Sequence, residues 1–168
     1  PSGKYFISIN CCEVPHEEYE TTGSLVGIDL GIKDFAITSN GEKFDDPKFL
    51  RKSEERIRLL QRRLSKKQKG SKNYDGARIR LAKQHERIAN QRTDFLHKLS
   101  TDLVKNHDLI ALESLRVKAM VRNHKLAKSI SDASWSEFVR MLTYKCEWNR
   151  KVLVQIDTFF PSSQLCSG

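Results

Sequence analysis

Residues 25–44, LVGIDLGIKDFAITSNGEKF, carry an alternation that only extended chain can use. Val26, Ile28 and Leu30 fall on one side of a strand and Gly27, Asp29 and Gly31 on the other, the period of two of a half-buried strand. A second run, Phe35 to Ser39, leads into Asn40-Gly41, a dipeptide that tight hairpins favour. Glu42 to Phe44 then forms a third short strand pairing back on the second. The spacing predicts an antiparallel meander of three strands.

The pattern changes to helical spacing downstream. Asp46-Pro47 reads as a helix start, with Asp as N-cap and Pro at the first helical position. Ile57, Leu60 and Leu64 give an apolar stripe. A Lys/Gly/Ser-rich turn, Lys66 to Gly76, ends that helix. A second helix runs to about Asn106 on a stripe of Leu81, Ile88, Phe95, Leu99 and Leu103, so the two form an antiparallel helical hairpin. Leu109 to Glu113, LIALE, reads as a buried strand parallel to the first. Ser114 to Ser131 has weak periodicity and reads mostly as loop. Ser134 and Glu137 form a capping box that opens a helix with Trp135, Phe138, Val139, Leu142 and Cys146 on its apolar face. Lys151 to Asp157, KVLVQID, reads as another buried strand. Ahead of the meander, residues 4–14 read as a strand with Tyr5, Ile7, Ile9 and Cys11 on one face, followed by a polar linker, Pro15 to Ser24. Meander, helices, strand, helix and strand make an α/β chain: a mixed sheet with flanking helices, in the succession of an RNase H-like fold.

Charge narrows the partners. The net charge is +9. Between Arg51 and Lys72 ten basic residues stand against two acidic ones, so +8 of it resides on one element. Lysines and arginines release counterions from phosphates, and such a segment suits a polyanion. The expected nucleic-acid contacts are Arg51, Lys52, Arg58, Arg62, Arg63, Lys66, Lys67, Lys69 and Lys72, with Arg122 and Lys125 in the later loop. The plainer reading of the same residues is a solvated helix face. No apolar run is long enough to span a bilayer and no signal segment is visible, so no membrane partner is expected. Cys11, Cys12, Cys146 and Cys166 form no disulfide framework and suit a reducing, cytoplasmic compartment. A chain that opens on Pro1 and closes on Cys166-Ser167-Gly168 reads as cut from a longer protein.

Two carboxylates stand where chemistry would need them. Metal-dependent phosphodiester hydrolysis requires several carboxylates converging on one point, with two ions roughly 3.5–4 Å apart. Asp29 lies on the strand face opposite Val26, Ile28 and Leu30, and its flanking glycines would leave room for a substrate backbone. Glu113 ends a strand that could lie beside it, and neighbouring strands are about 4.8 Å apart. The structural alternatives are a strand-end turn residue for Asp29 and a helix-start residue for Glu113.

The runs VGIDLGIKDFAITSNG, HERIANQRTDFLHKLS, LIALESLRVKAM, SISDASWSEFVRML and FFPSSQLCSG closely resemble the transposon-encoded TnpB/OrfB proteins. These are compact RNA-guided nucleases related to the type V CRISPR effectors, with a RuvC-like nuclease domain. The resemblance covers essentially the whole chain. It implies that Asp29 and Glu113 are the first and second catalytic carboxylates and hold Mg2+ (or Mn2+), with guide RNA and target DNA as partners in a prokaryotic, nucleoid-associated setting. It implies further that residues 1–14 end an upstream wedge domain, 15–24 link it, 25–160 form the RuvC-like core with the basic hairpin (about 47–106) inserted, and 161–168 begin a zinc ribbon. The loop from Leu115 to Ser131 would lie near the cleft as a lid.

Two departures qualify this. The family's ribbon has two Cys-x-x-Cys pairs and the chain reaches only Cys166, while tetrahedral zinc needs four ligands, so Zn2+ is expected only in the full-length protein. The family's third carboxylate follows that ribbon and is missing here. Asp157 matches no catalytic position and reads as structural. The chain by itself is therefore expected to be incomplete and inactive, and a binding-only descendant is the competing reading. A phosphotransferase of the actin/hexokinase type would need Ser or Thr soon after Gly31, where Ile32-Lys33 stands, and a second Asp-x-Gly turn that is not found.

Overall fold

The computed structural model describes residues 2–12, 14, 17–115 and 133–156. Strands β1 (Leu25–Leu30), β2 (Asp34–Thr38) and β3 (Lys43–Asp45) form the expected meander. Helices α1 (Phe49–Ser65) and α2 (Lys72–Asn106) follow, then β4 (Leu109–Glu113), α3 (Trp135–Trp148) and β5 (Val152–Ile156). The sheet order is β3-β2-β1-β4-β5; β4 is parallel to β1, and β5 to β4. The chain is thus mixed α/β.

The chain divides into two compact units. One comprises residues 18–47 and 96–168 and contains the sheet. Val26, Ile28 and Leu30 of β1 and Ile110 and Leu112 of β4 share its buried face. Buried residues of the same unit include Leu96, Leu99, Leu103 and Val104 of α2 and Trp135, Phe138, Met141, Leu142 and Cys146 of α3. Each such side chain contributes about 1.5–3 kcal/mol of burial before entropy is subtracted. A register shift between Asp34 and Ala36 interrupts the alternation, so both Phe35 and Ala36 are buried, and the Phe35 ring meets Phe138 edge-on at 5.2 Å. Lys145 reaches from α3 to the carbonyl of His97 and the hydroxyls of Ser100 and Thr101, tying the helices together. Residues 17–24 form no regular element, yet Thr22 and Gly23 donate their amides to Asp108. The second unit, residues 1–17 and 48–95, is the helical hairpin, with Ile57, Leu60, Ala77 and Ile88 buried and Phe49 against Phe95.

Several expectations need correcting. No strand forms over residues 4–12; Tyr5, Phe6, Ile7 and Ile9 are exposed. Alternation makes a strand only where an edge pairs with it, and among the described residues the five-stranded sheet has no such partner for this segment. Helix α1 begins at Phe49 rather than Pro47, because Lys48 adopts a left-handed conformation (φ 50°) and breaks the helical path. The capping box does not form: Ser134 is left-handed (φ 56°) with no side-chain cap, and Glu137 pairs with Arg140 at 2.6 Å instead. Strand β5 is not buried; Val152, Val154 and Ile156 are 51%, 40% and 36% exposed at the sheet's edge.

Candidate active site

The parallel register of β1 and β4 decides where the two carboxylates lie. Val26 stands beside Ile110 and Ile28 beside Leu112, all on the buried face. One step on, Asp29 and Glu113 therefore emerge on the opposite face, at the carboxyl ends of adjacent strands, and both are exposed. The rows of that face are Leu25, Leu109 and Val152, then Gly27, Ala111 and Val154, and finally the acidic pair with Ile156. The amide of Ser114 donates to the Ile156 carbonyl at 2.7 Å, which fixes the chain as it leaves Glu113.

Of the two glycines beside Asp29, one is required by the backbone itself. A Cβ on Gly31 would stand 2.9 Å from the carbonyl oxygen of Asp34, so the turn between β1 and β2 itself demands glycine. Gly27 would place a Cβ 3.6 Å from that of Ser39, an ordinary contact. At Gly31 this steric need accounts for the glycine without reference to a substrate.

Carboxylates at strand ends are hard oxygen ligands, and Mg2+ is content with one or two of them while keeping several waters. Asp29 and Glu113 are of that donor type. Among the described residues no group of three or more His, Cys, Asp or Glu side chains is placed to hold a metal. Asp157 and Cys166, the loop through residue 131 beyond Leu115, and Arg122 and Lys125 lie outside the described residues.

In the hairpin unit the basic residues separate into groups. Arg63, Lys66, Lys67 and Lys72 line one groove of about 530 Å³ with Arg80. Arg51, Lys52, Arg62 and Lys69 are exposed away from it, and Arg58 is paired with Glu54 at 2.6 Å. Arg80 went unnoticed in the sequence, although Lys72, Gly76 and Arg80 stand four apart along one face of α2.

A family model described as a probable transposase, OrfB_IS605, matches residues 9–124, and one described as a Cas12f1-like TNB domain matches residues 135–168. A protein of Streptomyces pristinaespiralis named "Putative RNA-guided DNA endonuclease" is 45% identical over 98% of this chain and 41% of its own length. InsQ of Escherichia coli K12, given the same description, is 31% identical over 98% of this chain and 44% of its own length. A Mycobacterium tuberculosis H37Rv protein of that description is 32% identical over 85% and 34%. The chain spans about two-fifths of the length of the first two relatives.

Proposed function

The chain belongs to the OrfB_IS605 transposase family, and from that premise we propose that it is the nuclease core of an RNA-guided DNA endonuclease. The observation that carries the reading is the placement of Asp29 and Glu113 on one sheet face at the ends of adjacent parallel strands. The strand order, with β2 alone antiparallel to its neighbours, supports an RNase H-like (RuvC-like) sheet.

In this reading Asp29 and Glu113 hold Mg2+ or Mn2+. The bound ion would neutralise phosphate charge and acidify a water. The protein's own part is to fix two carboxylates on rigid strands, so that no reorganisation is needed when phosphate arrives. The groove of Arg63, Lys66, Lys67, Lys72 and Arg80 engages the backbone phosphates of guide RNA or target DNA. Two-ion hydrolysis draws on several converging carboxylates, of which Asp29 and Glu113 would be two. The basic groove alone would serve a second reading, a nucleic-acid-binding protein without nuclease activity. Cys166 belongs to a zinc ribbon only if the chain continues.

The test uses the full-length parent with its guide RNA. In Mg2+ it should cut target DNA, and Asp29→Ala or Glu113→Ala should reduce cutting to background while DNA binding survives. Cutting that persists in both variants rejects these roles; a parent that binds but never cuts establishes the second reading.

A further inference from the structure

A pocket of about 210 Å³ opens where the carboxyl ends of β1, β4 and β5 meet the first turn of α3. Leu30, Trp135 and Val139 provide apolar walls, and Glu113, Ser136 and Gln155 contribute polar groups. Glu113 makes it contiguous with the acidic pair. Trp135 is 1% exposed, and its buried indole N–H has no acceptor among the described residues. A buried donor without a partner is a costly feature that an arriving acceptor relieves.

We propose that this pocket seats a single nucleobase of the strand lying across Asp29 and Glu113, a reading that rests on the nuclease function proposed above. The lining suits a base better than a phosphate: among the described residues no lysine or arginine lines the pocket, and Leu30, Leu115, Trp135 and Val139 give it apolar surface. A base is neutral and flat, matches apolar walls, and presents carbonyl and ring-nitrogen acceptors to donors such as the Trp135 N–H. The Gln155 amide offers donor and acceptor together, the combination that can tell one base edge from another. The site would thus impose a base preference next to the point of cutting.

The chain has two tryptophans, so Trp148→Phe leaves Trp135 as the sole indole reporter. Titrating that variant with thymidine, deoxycytidine or deoxyadenosine should give a saturable change in Trp135 emission with at least one of them, and inorganic phosphate should give none. Val139→Phe should fill the pocket and abolish the response. Gln155 is exposed, so Gln155→Ala leaves packing intact and should weaken binding of the preferred nucleoside about fivefold. No saturable response to any nucleoside, an equal response to phosphate, or unaltered binding in both pocket variants would overturn the proposal. Cutting by the full-length parent is read separately. Its survival alongside silent titrations condemns the pocket alone, while nucleoside binding with cutting indifferent to Asp29 and Glu113 condemns the nuclease reading alone.

Discussion

At the residue scale, Asp108 is the anchor of the sheet's amino-terminal end. Its carboxylate accepts the Lys151 ammonium together with the amides of Thr22 and Gly23, and Lys151 also donates to the Glu20 carbonyl at 2.8 Å. The hydrogen bond from Lys151 is the main cause holding the Asp108 pKa down at about 2, against partial desolvation and with help from the two amides. An unfolded Asp titrates near 3.9, so this contribution is complete above about pH 4 and disappears as pH falls through 2. Asp108→Asn should therefore lower the urea midpoint between pH 5 and 7, with the curves of the two proteins converging between pH 4 and 2. A gap that stays constant down to pH 2 would show that the charge contributes nothing. Nothing local marks Asp108 in the sequence, because its partners are 43 and about 86 residues away. Asp29 and Glu113 were legible because strand alternation assigns a face without knowledge of distant partners. Lys145 escaped for the same reason as Asp108: its burial, which lowers its pKa, and its three oxygen acceptors exist only once α2 and α3 are packed.

At the scale of elements, hydrophobic period identified every strand of the sheet and every helix reported above, and missed how two of the helices begin. Lys48 and Ser134 are left-handed although neither is glycine or asparagine, the residues that normally signal that conformation. Propensity, which weighs residue types one at a time, does not reveal them. The basic hairpin was readable as charge, but only the fold separates Lys66 and Lys67, which line the groove, from Lys69, which does not. The salt dependence of DNA binding should report that division. Lys66→Gln with Lys67→Gln should make the slope of log affinity against log salt shallower by about 0.9 for each duplex phosphate that is no longer neutralised, and Lys69→Gln should leave it nearly unchanged. Equal effects from groove and non-groove lysines would mean that the hairpin acts as a diffuse cationic surface; no effect from either would mean a solvated face.

For the molecule as a whole, the two faces of the sheet are unequal. One is closed over by buried helical residues, while the other exposes Leu25, Val152, Val154 and Ile156 in rows that end at the acidic pair. Lys151 to Asp157 was read as a buried strand from its apolar run, and that reading failed because composition cannot tell a central strand from an edge one. Among the described residues β5 is the last strand of the sheet, and a strand at the edge with an apolar face invites association, against which the net charge of +9 works through repulsion. Added salt screens that repulsion and leaves the apolar attraction in place. Raising ionic strength should therefore promote self-association of the chain, measurable by sedimentation velocity across a concentration series. Changing Val152, Val154 and Ile156 together to Thr keeps β-branched side chains suited to a strand and removes most of the exposed apolar area of β5. That variant should remain monomeric at salt concentrations where the parent chain associates, with a melting temperature shifted by only a few degrees. Association that is unchanged in the triple variant, or that weakens with salt, would place the interface elsewhere and make charge rather than apolar area its cause.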